Sequence, residues 1–214
     1  MKLLGRKSTT VLLAIFFLTR NGDCMESATD RNEKELLLAG PRKDTLLVRD
    51  INKQVALKLK KEKNLRSIGS GAEMMYEIKL LGLSFNYYNE IDIDKGRELL
   101  VFAASEYLDA INTNVELRPY LDHWPFTAND IEIDIGILKP TGKEVGLEKI
   151  DFLTCEKNEL KYYPNKGDIP GMPPPLLTEN YQEAVKIIEE SKKQPSTPPL
   201  TKISADQISR EKPA

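Results

Sequence analysis

One nine-residue segment, 130–138, constrains the fold more than any other part of this sequence. It reads DIEIDIGIL, in which isoleucine alternates strictly with acidic residues and then glycine. Successive side chains of a β-strand point to opposite faces of the sheet, so the isoleucines share one face and the acidic residues the other. The isoleucines are Ile131, Ile133, Ile135 and Ile137, and the acidic residues are Asp130, Glu132 and Asp134. The segment predicts a strand with one buried face and one solvated acidic face.

A long amphipathic helix is predicted over 95–112. Apolar side chains recur there with the spacing of one helical face, which suits a helix that packs on a core. They are Leu100, Ala104, Leu108 and Ile111. Asp92 or Asp94 can cap its amino end. The segment before it, 77–88, is apolar and aromatic and predicts a strand.

Other segments complete a small domain over 44–163. Residues 44–63 carry a helical apolar stripe, and Gly69-Ser70-Gly71 then breaks the chain. Segments 149–154 and 159–163 predict two strands joined by a tight turn. The fold class is therefore α+β, with the long helix packed on a small antiparallel sheet in a helix–strand–helix–strand meander.

The first 24 residues have the order of a secretory signal peptide. Three basic residues precede an apolar run from Val11 to Leu18, and small residues lie two apart at Gly22 and Cys24. We expect cleavage after Cys24 and export to the periplasm or the exterior. The alternative is a cytoplasmic protein whose first segment is a buried helix or strand.

Four further segments flank the predicted domain. Residues 25–43 are polar and predict a flexible or disordered segment. Residues 164–178 form a proline-rich linker, 179–192 a short amphipathic helix, and 193–214 a disordered tail.

Composition narrows the function classes. The chain has 214 residues, with 31 Lys and Arg against 33 Asp and Glu, and this near-neutral balance argues against nucleic acid as a partner. Two cysteines and one histidine predict no metal site and no disulfide framework. We expect no cofactor and an unknown protein partner, while association with a membrane surface and the oligomeric state stay open.

The best candidate site is the loop between the long helix and the alternating strand. It holds the only histidine and the only tryptophan of the chain. The candidate binding residues are Arg118, Tyr120, Asp122, His123, Trp124 and Phe126. Two interpretations compete with a protein-binding loop. One is a small hydrolase or ligand-binding enzyme that uses this loop, although no recognised nucleophile motif accompanies it. The other is structural: Trp124 and Phe126 close the end of the core and Arg118 caps backbone carbonyls.

Part of the chain resembles a family of exported and envelope-associated proteins of unknown function from chlamydia-like and other host-associated bacteria. The resemblance covers about a quarter of the chain, between Leu83 and Ile137, and its motifs are LSFNY at 83–87, GRELL at 96–100, NTN at 112–114, LRPYL at 117–121, PFT at 125–127 and IEI at 131–133. Trp124 departs from the family, in which tyrosine is more frequent at that place. The resemblance implies an exported α+β domain and supplies no catalytic residue.

Overall fold

The structure, a computed structural model, describes residues 41–167 and 170–193. The leader 1–24, most of the segment 25–43 and the tail beyond 193 lie outside the described residues. The described elements are, in chain order, α1 (Lys43–Lys63), β1 (Arg66–Glu73), β2 (Leu80–Tyr87), α2 (Ile93–Thr113), a 3-10 turn (Arg118–Tyr120), β3 (Ile131–Ile137), β4 (Ile150–Glu156), β5 (Glu159–Pro164), β6 (Leu177–Asn180) and α3 (Tyr181–Lys193). The mixed α and β content expected from the sequence is confirmed.

The sheet is mixed, which corrects the expectation of an antiparallel sheet. Its six strands lie side by side in chain order, from β1 to β6. β2 and β3 are parallel, and the other neighbouring pairs are antiparallel. The direction changes because α2 separates β2 from β3 and returns the chain to the same end of the sheet, as parallel strands require.

The three described helices lie on one face of the sheet, and none of them covers the opposite face, which we call the open face. α2 contacts β3, β4 and β5, while α1 lies against β1 and α3 against β5 and β6. In β3, the four isoleucines are buried in this interface, and Glu132 and Asp134 lie half-buried on the open face. Asp130, which precedes β3, is not part of this acidic row: it is buried, and its carboxylate binds Thr127 and His123.

Both long helices have end signals that match their sequences. The Asp92 carboxylate accepts a hydrogen bond from the Lys95 backbone N–H at 2.8 Å, so Asp92 is the cap of α2. Asn64 ends α1 in the left-handed conformation, at φ 56°. α1 buries Val48, Ile51, Val55 and Leu59 in the common core and therefore belongs to the domain.

Two strands lie where the sequence predicts none. β1 spans the predicted chain break at Gly69-Ser70-Gly71 and pairs with β2. β6 crosses the predicted boundary at residue 178 between the proline-rich linker and the short helix, and it pairs with β5. The helix itself begins two residues later than predicted, at Tyr181. Glu179 of β6 binds the Arg97 guanidinium of α2 at 2.9 Å, and each side chain is only 10% exposed. The domain therefore extends through α3, whose Tyr181 and Ala184 are buried.

Candidate functional site

The loop that follows α2 is held in place by one asparagine. The Asn112 amide donates to the Phe126 carbonyl at 2.9 Å, and its oxygen accepts from the Phe126 N–H at 2.8 Å. The Trp124 indole N–H also reaches the Asn112 carbonyl, at 3.3 Å. Three bonds from one helical residue thus fix the segment 124–126 at the carboxyl end of α2.

A second loop, between β1 and β2, is attached to the first. The Ile78 N–H donates to the Tyr120 carbonyl at 2.8 Å, and the Asp122 N–H donates to the Ile78 carbonyl at 2.9 Å. Arg42, just before α1, donates to the Met75 carbonyl at 2.8 Å. The two loops therefore form one surface, which we call the loop surface and define as residues 74–77 and 118–126.

Large apolar side chains are exposed on the loop surface. The exposed fractions are 75% for Met75, 87% for Tyr76 and 46% for Trp124. The Arg118 guanidinium stacks on the Trp124 ring, 3.5 Å from its centroid. An open groove of about 760 Å³ runs between the Met75–Tyr76 loop and Asp122. The surface thus offers aromatic, methionine and arginine side chains on a backbone held by hydrogen bonds.

The structure divides the predicted site residues between two roles. Phe126 is buried and closes the end of the core, and Tyr120 packs against the same core. Trp124 does not close the core, because its ring lies on the surface under Arg118. Arg118, Asp122, His123 and Trp124 are therefore the predicted residues that a partner can reach.

His123 lies between two carboxylates. Its Nε2 is 3.1 Å from Asp130 Oδ2, and its Nδ1 is 3.5 Å from Asp122 Oδ2. Asp130 Oδ2 also accepts from the Thr127 N–H and hydroxyl, at 2.7 and 2.8 Å. Partial burial lowers the pKa of His123, but the hydrogen bonds and charges of Asp122 and Asp130 outweigh it and raise the pKa above the ordinary value. This arrangement favours an imidazolium that braces the loop.

No protein-family model, no curated protein and no solved structure matches this chain. The resemblance to exported and envelope-associated bacterial proteins therefore stays a prediction. Among the helices that the structure describes, none is long and apolar enough to cross a membrane.

Several other titratable groups of the described residues lie outside the loop surface. Cys155 is buried, and burial together with the neighbouring Glu156 raises the pKa of its thiol to about 12. Burial likewise raises the pKa of Glu132 and of Asp134 on the open face. In residues 41–167 and 170–193, no three His, Cys, Asp or Glu side chains are grouped to hold a metal ion.

A second groove, of about 730 Å³, lies on the helix layer between α1 and α3. Phe102 and Ile188 line it among charged side chains. The Lys63 ammonium lies 4.6 Å from the centroid of the Phe102 ring and binds Glu98 at 2.7 Å. Its cation is thus already paired with a carboxylate within the chain, and none of the large apolar side chains with the highest exposure among the described residues lies in this groove.

The exposed Met75 and Tyr76 were not predicted from the sequence. Nor were Asn112 and Asp130 predicted as the residues that hold the loop in place. The run Met74-Met75-Tyr76 lies between a glycine-rich break and a predicted strand, and this position in the sequence indicates a loop. The hydrogen bonds of Asn112 and Asp130 join residues up to 14 positions apart. No sequence pattern indicates them.

Proposed function

We propose that this chain is an exported, non-catalytic interaction protein that binds a partner protein through the loop surface. The observation that carries the proposal is the exposure of Met75 and Tyr76 on one loop and of Trp124, stacked under Arg118, on the loop bonded to it. Tryptophan, tyrosine and arginine are the residue types that dominate binding energy at protein interfaces.

The rigidity of the loops favours binding as well. Asn112 fixes one loop, and the Ile78 backbone joins it to the other. Side chains on a fixed backbone lose less conformational entropy when they bind. A surface that is both apolar and ordered before binding suits a protein partner.

The alternative, a small hydrolase or ligand-binding enzyme at the same loop, has less support. A general base needs a ring nitrogen that can reach a substrate proton. Both nitrogens of His123 face carboxylates, and Arg118 lies against Trp124.

A site-specific photocrosslinking experiment tests the proposal in cells of the native host. A photoreactive residue replaces Tyr76 in one variant and Leu147 in another. Leu147 is 68% exposed and lies between β3 and β4, at the other end of the sheet. We expect one crosslinked partner from position 76 and none from position 147.

The binding energy of the captured partner is then tested with Trp124→Ala and Leu147→Ala. Truncation of a central aromatic residue is expected to weaken binding by about 30-fold, whereas Leu147→Ala should leave it unchanged. Circular dichroism verifies that both variants are folded. Equal crosslinking from both positions, or unchanged affinity of the Trp124 variant, would contradict the proposal.

A further inference from the structure

The strand β1 forms one edge of the sheet. It pairs with β2 on one side only, and in the described part of the chain no strand pairs with its outer side. All eight of its residues are exposed. An outer row of backbone N–H and C=O groups is a template for pairing with a further strand.

The composition of β1 does not oppose such pairing. Edge strands are commonly protected by proline or by charged residues in their middle. Between Ser67 and Ala72, β1 has neither. Its charges lie only at its two ends, Arg66 and Glu73.

Two glycines of β1 have open space where a side chain would lie. A Cβ atom at Gly69 or Gly71 would meet no atom within 4 Å, and neither residue has a left-handed φ. Glycine weakens the interior of a strand, and there it often marks the close approach of another backbone. Gly69 borders a bulge in the pairing with β2, but Gly71 lies in regular pairing opposite Gly82 and has no such role among the described residues. Gly71 therefore points to a further strand on this edge.

The register of β1 is set by a bulge. The pairing with β2 shifts between Ser67 and Gly69, so Ile68 is an extra residue in the strand. The eight residues therefore occupy seven positions of the ladder, and Ser70 is the middle one. The bulge also brings Arg66 and Glu73 to the same face of the sheet, opposite Asn86 and Leu80 respectively.

We propose that β1 pairs antiparallel with β1 of a second copy of this chain, about a two-fold axis at Ser70. Arg66 of each copy then lies opposite Glu73 of the other, and Gly69 lies opposite Gly71. Opposite charges in facing cross-strand positions stabilise the pair, and identical chains supply two such pairs. The two sheets join into one continuous sheet with six strands from each copy.

Cysteine crosslinking tests the position of the axis. In the full chain with Cys24→Ser, Ser70→Cys places two thiols directly opposite each other, within the Cα separation that a disulfide spans. Ile68→Cys is the matched control, because Ile68 is 62% exposed but lies away from the axis. Cys155 is buried in both variants. Under mild oxidation we expect a covalent dimer from Ser70→Cys and none from Ile68→Cys.

Exchange of the charges at positions 66 and 73 tests whether the partner strand is β1 of a second copy. Sedimentation equilibrium should give twice the mass of one chain for the unmodified protein. Arg66→Glu or Glu73→Arg alone should weaken the dimer about tenfold, because each creates two like-charge pairs. The double variant with both changes restores opposite charges and should dimerise as the unmodified protein does.

Three results would overturn the proposal. The first is a monomer mass at every protein concentration, and the second is an equal yield of covalent dimer from positions 68 and 70. The third is a double variant that dimerises no more tightly than the single variants. A crosslink from position 70 to a different protein would likewise overturn it, because a strand of another protein would then occupy this edge. Thermal unfolding of each variant confirms that the edge is changed in a folded domain.

Discussion

At the scale of single residues, His123 joins the loop surface to the start of β3. Its ring stands between the carboxylates of Asp122 and Asp130, and its centroid is 5.4 Å from that of Phe126. A neutral imidazole has only one N–H to donate, whereas the imidazolium can donate to both carboxylates. The charged form therefore stabilises the loop more than the neutral form does.

We expect the stabilising effect of His123 to depend on pH. Its pKa is raised in the folded state, so the contribution is complete below the unfolded pKa and is lost as pH rises through the folded pKa. His123→Gln should lower the free energy of unfolding by about 0.5 kcal/mol near about pH 5 and by less near about pH 8. The small size follows because the ring is 48% exposed. Urea unfolding of both proteins at the two pH values measures the difference, and a difference that grows with pH would contradict this account.

At the scale of elements, α2 approaches β5 closely at one glycine. A Cβ at Gly96 would lie 3.0 Å from Tyr162 Cε1 and 3.4 Å from Leu153 Cδ2. The Tyr162 ring is fully buried, and its hydroxyl donates to Glu179. Glu179 in turn binds Arg97. The hydroxyl bond to this ion pair and the buried packing around the ring leave Tyr162 little room to move.

Gly96→Ala is therefore expected to destabilise the domain although alanine favours helices. Overpacking costs about 1–3 kcal/mol, and the gain in helix propensity is about 1 kcal/mol. We expect a net loss of about 1 kcal/mol in the free energy of unfolding, measured by chemical denaturation. Gly146→Ala is the control, because its Cβ would come no closer than 3.9 Å to a neighbouring atom. A variant at position 96 as stable as the control would contradict the close-packing argument.

Local patterns predicted the elements whose own residues carry the signal. β3 has strict alternation, and α2 has a helical stripe and an aspartate cap. β1 and β6 lack such signals, since RSIGSGAE is small and exposed and LTEN has only four residues. Their strand conformation depends on pairing with β2 and β5. Alternation also carries no information on strand direction, although a strand, a long helix and a strand in succession favour a parallel pair.

The candidate site was partly predictable for the same reason. His123 and Trp124 are the only residues of their types in the sequence, which indicated their loop as a candidate site. Met75 and Tyr76 lie beside that loop only because Ile78 forms a β-bridge with Leu121. The opposite roles of Trp124 and Phe126 depend on which ring meets the core. Both are aromatic residues beside the same proline, so the sequence does not distinguish them.

At the scale of the whole molecule, the described domain begins well after the predicted leader. The compact unit that contains α1, the sheet and α3 starts at Arg42. Cleavage after Cys24 would leave every described contact in place. Removal of a leader is therefore compatible with the fold.

The mass of the mature chain tests export. We expect the protein from an exported fraction of its native host to begin at Met25, as measured by intact mass spectrometry. Ile15→Asp interrupts the apolar run of the leader and should leave a full-length chain in the cytosol. A full-length unmodified chain in the cytosol would contradict export and favour the cytoplasmic alternative.

The order of the strands has a consequence for how the chain acquires its structure. Every strand pairs with its neighbour in sequence, so the sheet can grow in one direction as the chain leaves the ribosome. The widest gap between paired strands is the one from Tyr87 to Ile131, and it contains α2. Closing that gap is the step with the largest loss of chain entropy, because the other pairings are more local. Formation of α2 shortens the gap, so substitutions that weaken this helix should slow folding more than equally destabilising substitutions in β5 or β6.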